Sequence, residues 1–169
     1  MTLALQQFIA SRTPWHITFG TYGARLHGAI APTVDKRHNE LGTEFLPKNT
    51  LRVVSECERM KHSQRYLSLE QRIFVEAELA NICERGGWNY RACAAGADHV
   101  HLLCDVVRDV HGEKVRRLVK RWLGQSLSDR WQLPGGATWW AEKGSNIAIK
   151  EERYLNNCFA YIFNQRATK

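Results

Sequence analysis

The spacing of hydrophobic positions changes several times along the chain, and each change marks an element. Trp15 to Tyr22 (WHITFGTY) concentrates β-branched and aromatic residues, which predicts a first strand. Gly23 to Asn49 is polar and punctuated by Gly28, Pro32, Gly42 and Pro47. It reads as a long irregular excursion, of the kind in which domains often keep function. Leu51 to Glu58 (LRVVSECE) fits a short strand or the start of a helix equally. Ser68 and Gln71 then have capping-box spacing. Leu69, Ile73, Val75, Ala77, Leu79, Ala80 and Ile82 supply apolar positions over about four turns. Gly86 and Gly87 end that helix. Trp88 to Ala95 predicts a strand, Gly96-Ala97-Asp98 a turn, and His99 to Val107 (HVHLLCDVV) the strand that returns from it, making a hairpin.

A second helix is expected from about Gly112 to Trp131, with Val115, Leu118, Val119, Trp122 and Leu127 apolar. Pro134-Gly135-Gly136 breaks the chain, and Thr138 to Ala141 reads as a short edge strand. The last helix runs from about Ile149 to Gln165, with Leu155, Cys158, Phe159 and Ile162 on one face. The order strand, loop, helix, hairpin, helix, strand, helix predicts an α+β sandwich with an antiparallel sheet and helices largely on one face.

Composition narrows the setting. The 169 residues fit one domain, 1–169. No stretch of about 18 uncharged apolar residues exists, so no membrane span is expected. The N-terminus has no basic segment before its apolar patch, so no signal peptide is expected. Five cysteines without a CxxC pair indicate neither a disulfide framework nor a cysteine zinc site, and a thiol-reduced, cytoplasmic protein is the expectation. The net charge of +7 points to polyanions, though charge alone does not select nucleic acid.

Three features carry candidate chemistry. His99 and His101, at i and i+2 in a strand, stand on one side of it, with Val100, Leu102 and Cys104 on the other. Such a pair is a platform for a divalent metal or simply two satisfied core histidines. His16, His27, His38, His62 and His111 have no comparable partner and read as ordinary residues. Tyr161 and Gln165, at i and i+4, share a helical face, and Tyr154 lies on a similar face two turns earlier. A tyrosine there is a nucleophile once a metal polarises its target, or else an amphipathic filler. Lys114, Arg116, Arg117, Lys120 and Arg121 form a basic stripe that suits a phosphate backbone or a solvated face. Trp139 and Trp140 suit base stacking or core packing.

Together, the string Asp98-His99-Val100-His101-Leu102-Leu103, the basic helix after it, the Trp-containing segment and the terminal Tyr161-Ile162-x-x-Gln165 resemble one family. The chain is similar to the single-tyrosine HUH transposases of bacterial insertion sequences and their chromosomal relatives, the REP-associated tyrosine transposases. The resemblance runs from Trp15 to Gln165. It implies a ferredoxin-like (RRM-like) sandwich. It implies His99, His101 and Gln165 as ligands of Mg²⁺ or Mn²⁺, and Tyr161 as the nucleophile that cleaves single-stranded DNA near hairpins through a 5′-phosphotyrosine link. It places hairpin recognition on the basic helix and nearby loops. Mobile members of the family are commonly homodimers with shared sites, so a homodimer and a monomer are both expected assemblies. The chain reads YIFNQRATK at its end, without the Asn-Pro of many REP-associated relatives, and TYGARLHG resembles a chromosomal subgroup more than a mobile-element enzyme. The alternative implied by the same fold is a non-catalytic module that holds hairpin or single-stranded nucleic acid.

Overall fold

Residues 11–24 and 49–167 are described by the computed structural model. The elements in order are β1 (Arg12–Gly20), α1 (Thr50–Arg59), α2 (Leu69–Gly86), β2 (Asn89–Ala95), β3 (His99–Val107), α3 (Gly112–Arg130), β4 (Ser145–Ala148) and α4 (Glu152–Asn164). The segment that fitted a strand or a helix equally is α1, capped by the Asn49 side chain on the Arg52 amide. Most of the excursion 23–49, with His27 and His38, lies outside the described residues.

Local signals account for the ends of α2. The Ser68 hydroxyl accepts from the Gln71 amide at 3.2 Å, and the Gln71 side chain accepts from the Ser68 amide at 2.9 Å. This reciprocal box satisfies two donors that a helix start otherwise leaves open. At the other end Gly87 takes φ 68°, a left-handed conformation that costs a residue without Cβ little. Only part of the apolar pattern of α2 is core: Val75, Leu79, Ile82 and Cys83 are buried, together with a carboxylate, Glu76, while Leu69 and Ile73 are exposed.

The four strands form one antiparallel sheet in the order β2-β3-β1-β4. With the helices between them this is the split β-α-β-β-α-β arrangement of a ferredoxin-like sandwich, followed by α4. Side chains alternate across β1 and β3. Trp15, Ile17 and Phe19 of β1 and Val100, Leu102, Cys104 and Val106 of β3 enter the larger core, against Val75, Leu79 and Ile82 of α2 and Val115, Val119, Leu123 and Leu127 of α3. A second, smaller cluster lies on the opposite face. There Cys158 and Ile162 of α4, with Leu155 partly covered, pack on Ala92, Ala94, Leu103 and Ile149. Thus α2 and α3 share one face, and the terminal helix covers the other. Phe159, expected on the buried face of α4, is exposed and stacks on Phe163 instead.

The edge strand is not where the pattern placed it. Trp139 and Trp140 are both buried in the larger core, and Trp140 meets Phe19 edge-on at 5.0 Å. Two adjacent residues pointing into one core cannot alternate as a strand does. The segment 138–141 therefore makes only a single bridge, Trp140 to Thr21. The strand forms later, at β4, after Gly144, where a Cβ would run into the carbonyl oxygen of Thr18.

Candidate active site on the terminal-helix face

The parity of β3 that buries Val100, Leu102 and Cys104 sends His99, His101, Leu103 and Asp105 to the side that α4 covers. The two imidazoles stand nearly perpendicular, ring centres 4.8 Å apart. Register places Thr18 of β1 opposite His101 and Gly20 opposite His99. His101 is buried, at 6% exposure. Its Nδ1 lies 2.9 Å from Thr18 Oγ1 and 3.1 Å from His16 Nε2, and Thr18 Oγ1 is itself 3.3 Å from His16 Nε2. Burial holds His16 below its ordinary value of 6.5, which favours its neutral form, and a neutral ring with its lone pair on Nε2 can accept a hydrogen bond from a His101 Nδ1–H.

His99 is held differently. Its Nδ1 is 2.5 Å from a carboxylate oxygen of Asp98. A carboxylate can only accept, so this Nδ1 carries the proton and Nε2 bears the lone pair. Each histidine is therefore oriented through Nδ1 by a neighbour, which is how a ligating imidazole is commonly fixed. Beside His99 a recess of about 290 Å³ is lined by Thr18, Gly20, Thr21, Lys143 and Ser145.

Tyr161 of α4 lies beside His101. Its ring centre is 5.5 Å from that of His101, at 78°, and the side chain is half exposed. Ile162, the next residue, is fully buried on the sheet and anchors that turn. Tyr154 is also exposed, but no ring contact joins it to the histidines, and burial raises its hydroxyl above the ordinary value of 10.0. Gln165 is the C-cap residue of α4, one turn beyond Tyr161 on the same side of the helix. Among the described residues no three His, Cys, Asp or Glu side chains converge as a metal site. A metal here would rest on the two imidazoles and an amide oxygen such as that of Gln165, a donor set with room for phosphate oxygens.

The basic stripe lies elsewhere. The helix α3 packs on the sheet face opposite the histidines. Lys114, Arg117 and Arg121 are exposed on it. Arg116 and Lys120 are engaged internally. Arg116 donates to the Gly144 carbonyl at 2.7 Å and to the Asn146 side chain, and Lys120 donates to the carbonyls of Ala141 and Glu142 at 2.5 and 2.8 Å. Both clasp the chain around β4. Trp139 and Trp140 serve the core, with the Trp139 indole donating to Ser128 at 2.9 Å.

His16, Thr18 and Lys143 were not singled out by the sequence. The signal for the first two was available: His16 and Thr18 alternate with Trp15, Ile17 and Phe19, so a strand there puts them together on the other face. Lys143 carried no such signal.

No protein-family model matches the chain, and no curated protein is similar to it. Solved structures are. A candidate transposase of Deinococcus radiodurans R1 matches with a TM-score of 0.49 and 16% identity, over 93% of each chain. A REP-associated tyrosine transposase bound to a REP hairpin matches with a TM-score of 0.46 and 10% identity, over 89% of this chain and 64% of that one. No helix among the described residues is long and apolar enough to cross a membrane.

Proposed function

We propose that the protein is a metal-assisted nuclease and strand transferase for single-stranded DNA, acting near hairpins through Tyr161. The observation that supports this most is the half-exposed Tyr161 ring 5.5 Å from His101, which itself stands beside His99. The tyrosine Oη attacks a backbone phosphorus. The Oη–P bond forms as the hydroxyl gives up its proton, the P–O3′ bond breaks, and the leaving 3′ oxygen takes up a proton in its place. The products are a 5′-phosphotyrosine and a free 3′-hydroxyl. One phosphodiester replaces another, so rejoining needs no nucleotide triphosphate.

His99, His101 and Gln165 would hold the cation, Mn²⁺ or Mg²⁺, which when bound supplies positive charge to the phosphoryl oxygens. Asp98 orients His99, and Thr18 with His16 orients His101. The recess beside His99, with Lys143 on its wall, would take the strand. The exposed Lys114, Arg117 and Arg121, on the far face, would contact duplex phosphates of a hairpin that reaches around the sheet.

The test is a denaturing gel of protein incubated with labelled hairpin oligonucleotides and Mn²⁺, Mg²⁺ or chelator. A metal-dependent band of protein-plus-DNA mass is expected, lost in Tyr161→Phe and His99→Ala and kept in Tyr154→Phe. The exposed basic stripe, which stands apart from the histidines, favours a second reading, a non-catalytic hairpin-binding module. Salt-dependent binding with no adduct under either metal would select it.

A further inference from the structure

The carboxylate of Glu76 has no place in the chemistry above. It is buried on α2, beneath the end of β2, on the layer opposite α4. One oxygen, Oε1, accepts from the Ala95 amide at 3.0 Å and from the Ala167 amide at 2.7 Å. The other, Oε2, lies 3.6 Å from the Arg166 guanidinium. The sheet edge at this point is β2. So the chain leaving α4 at Gln165 turns around the edge of the sheet and is grasped from the far layer.

We propose that Glu76 is a positioning residue for the end of the tyrosine helix: a latch that, through Arg166 and Ala167, sets Gln165 and the last turns of α4 against His101. The proposal rests on the functional reading above for its importance to cleavage, but the placement it describes is independent of any metal or DNA. A buried carboxylate is expensive unless it is paired and hydrogen-bonded. Here Ala95, on the strand beside α2, and Arg166 and Ala167, beyond α4, are among its partners. The smaller cluster that seats α4 is thin, with Cys158 and Ile162 as its buried helix residues. A second fixed point beyond the helix restricts the rotation and sliding that this thin seat permits.

The experiment uses full-length protein labelled with 3-fluorotyrosine, read by fluorine NMR without metal or DNA. Five tyrosines give five resonances, and Tyr161→Phe assigns the one that matters. Glu76→Gln, Arg166→Met and a chain ending at Gln165 are compared with wild type. The Tyr161 resonance is expected to move toward that of free fluorotyrosine in all three, most in the shortened chain, while Tyr22 and Tyr66 stay put. Adduct formation should fall at least tenfold with hairpin affinity changed less than twofold. If Glu76→Gln fails to fold, Arg166→Met and the shortened chain decide the matter, since both leave the Ala95 bond intact. An unmoved Tyr161 resonance in those variants overturns the latch. A moved resonance in a protein that never forms an adduct upholds the latch and overturns the nuclease reading instead.

Discussion

Ile162→Ala should separate the two faces of the sheet. Ile162 is fully buried, yet its cluster is small: beyond the sheet residues Ala92, Ala94 and Leu103, only Ile149, Cys158 and part of Leu155 share it among the described residues. Fully burying one large aliphatic side chain is worth about 1.5–3 kcal/mol. Ile162, the smaller Cys158 and the half-covered Leu155 together hold α4 with about 5 kcal/mol before any ordering cost. Truncating a buried isoleucine to alanine removes about 2–5 kcal/mol. The loss is therefore comparable to the whole docking energy, and α4 should undock before the rest unfolds. All six tryptophans belong to the larger core or pack against it. Tryptophan fluorescence thus reports the other face. The expected result is a fluorescence midpoint in urea that shifts modestly, with amide exchange in α4 accelerated about a hundredfold or more relative to β3. Adduct formation should vanish because Tyr161 leaves His101. If α4 amides stay as protected as those of β3 while the fluorescence midpoint carries the full loss, the two-layer reasoning is wrong.

Four further outcomes are expected. Because burial lowers the folded-state value of His16 below 6.5, the unfolded chain binds more protons below that pH, so stability should fall as pH drops under 6.5. His16→Asn should flatten that part of the profile, measured as Tm against pH. Cys57 is exposed, whereas burial pushes the Cys93 and Cys158 thiols up to about 11, and a hydrogen bond with Cys83 together with burial raises Cys104 well above the ordinary range. A thiol reagent at neutral pH should therefore titrate one cysteine quickly and the other four only after denaturation. Replacing Lys114, Arg117 and Arg121 by glutamine should leave Tm unchanged and reduce the salt slope of hairpin binding by about 2.7, at roughly 0.9 per duplex phosphate contact. Arg116→Met or Lys120→Met should instead lower Tm, because those two hold carbonyls around β4.

What could be read without coordinates was local. The Ser68–Gln71 box, the Gly87 stop, the tight turn at Gly96-Ala97-Asp98 and the parity that sets His99 and His101 apart from Val100 and Leu102 all depend on neighbours a few residues away, and all form. Element order implied the sandwich for the same reason, since short connections leave few ways to cover a sheet. Side chains whose partners lie far along the chain were a different matter. A tryptophan pair can stack on a base or fill a core, and only the packed sheet shows Trp140 against Phe19. A basic stripe looks uniform in sequence, yet Arg116 reaches a carbonyl 28 residues away and Lys120 one 22 away, while Lys114 stays in solvent. His16 and Thr18 meet His101 across 85 and 83 residues, and Glu76 meets Ala167 across 91. Helical periodicity says that α4 has an apolar face but not which side of the sheet receives it. Burial of Ile162 on Leu103 makes that choice, and it is what brings Tyr161 to the histidines.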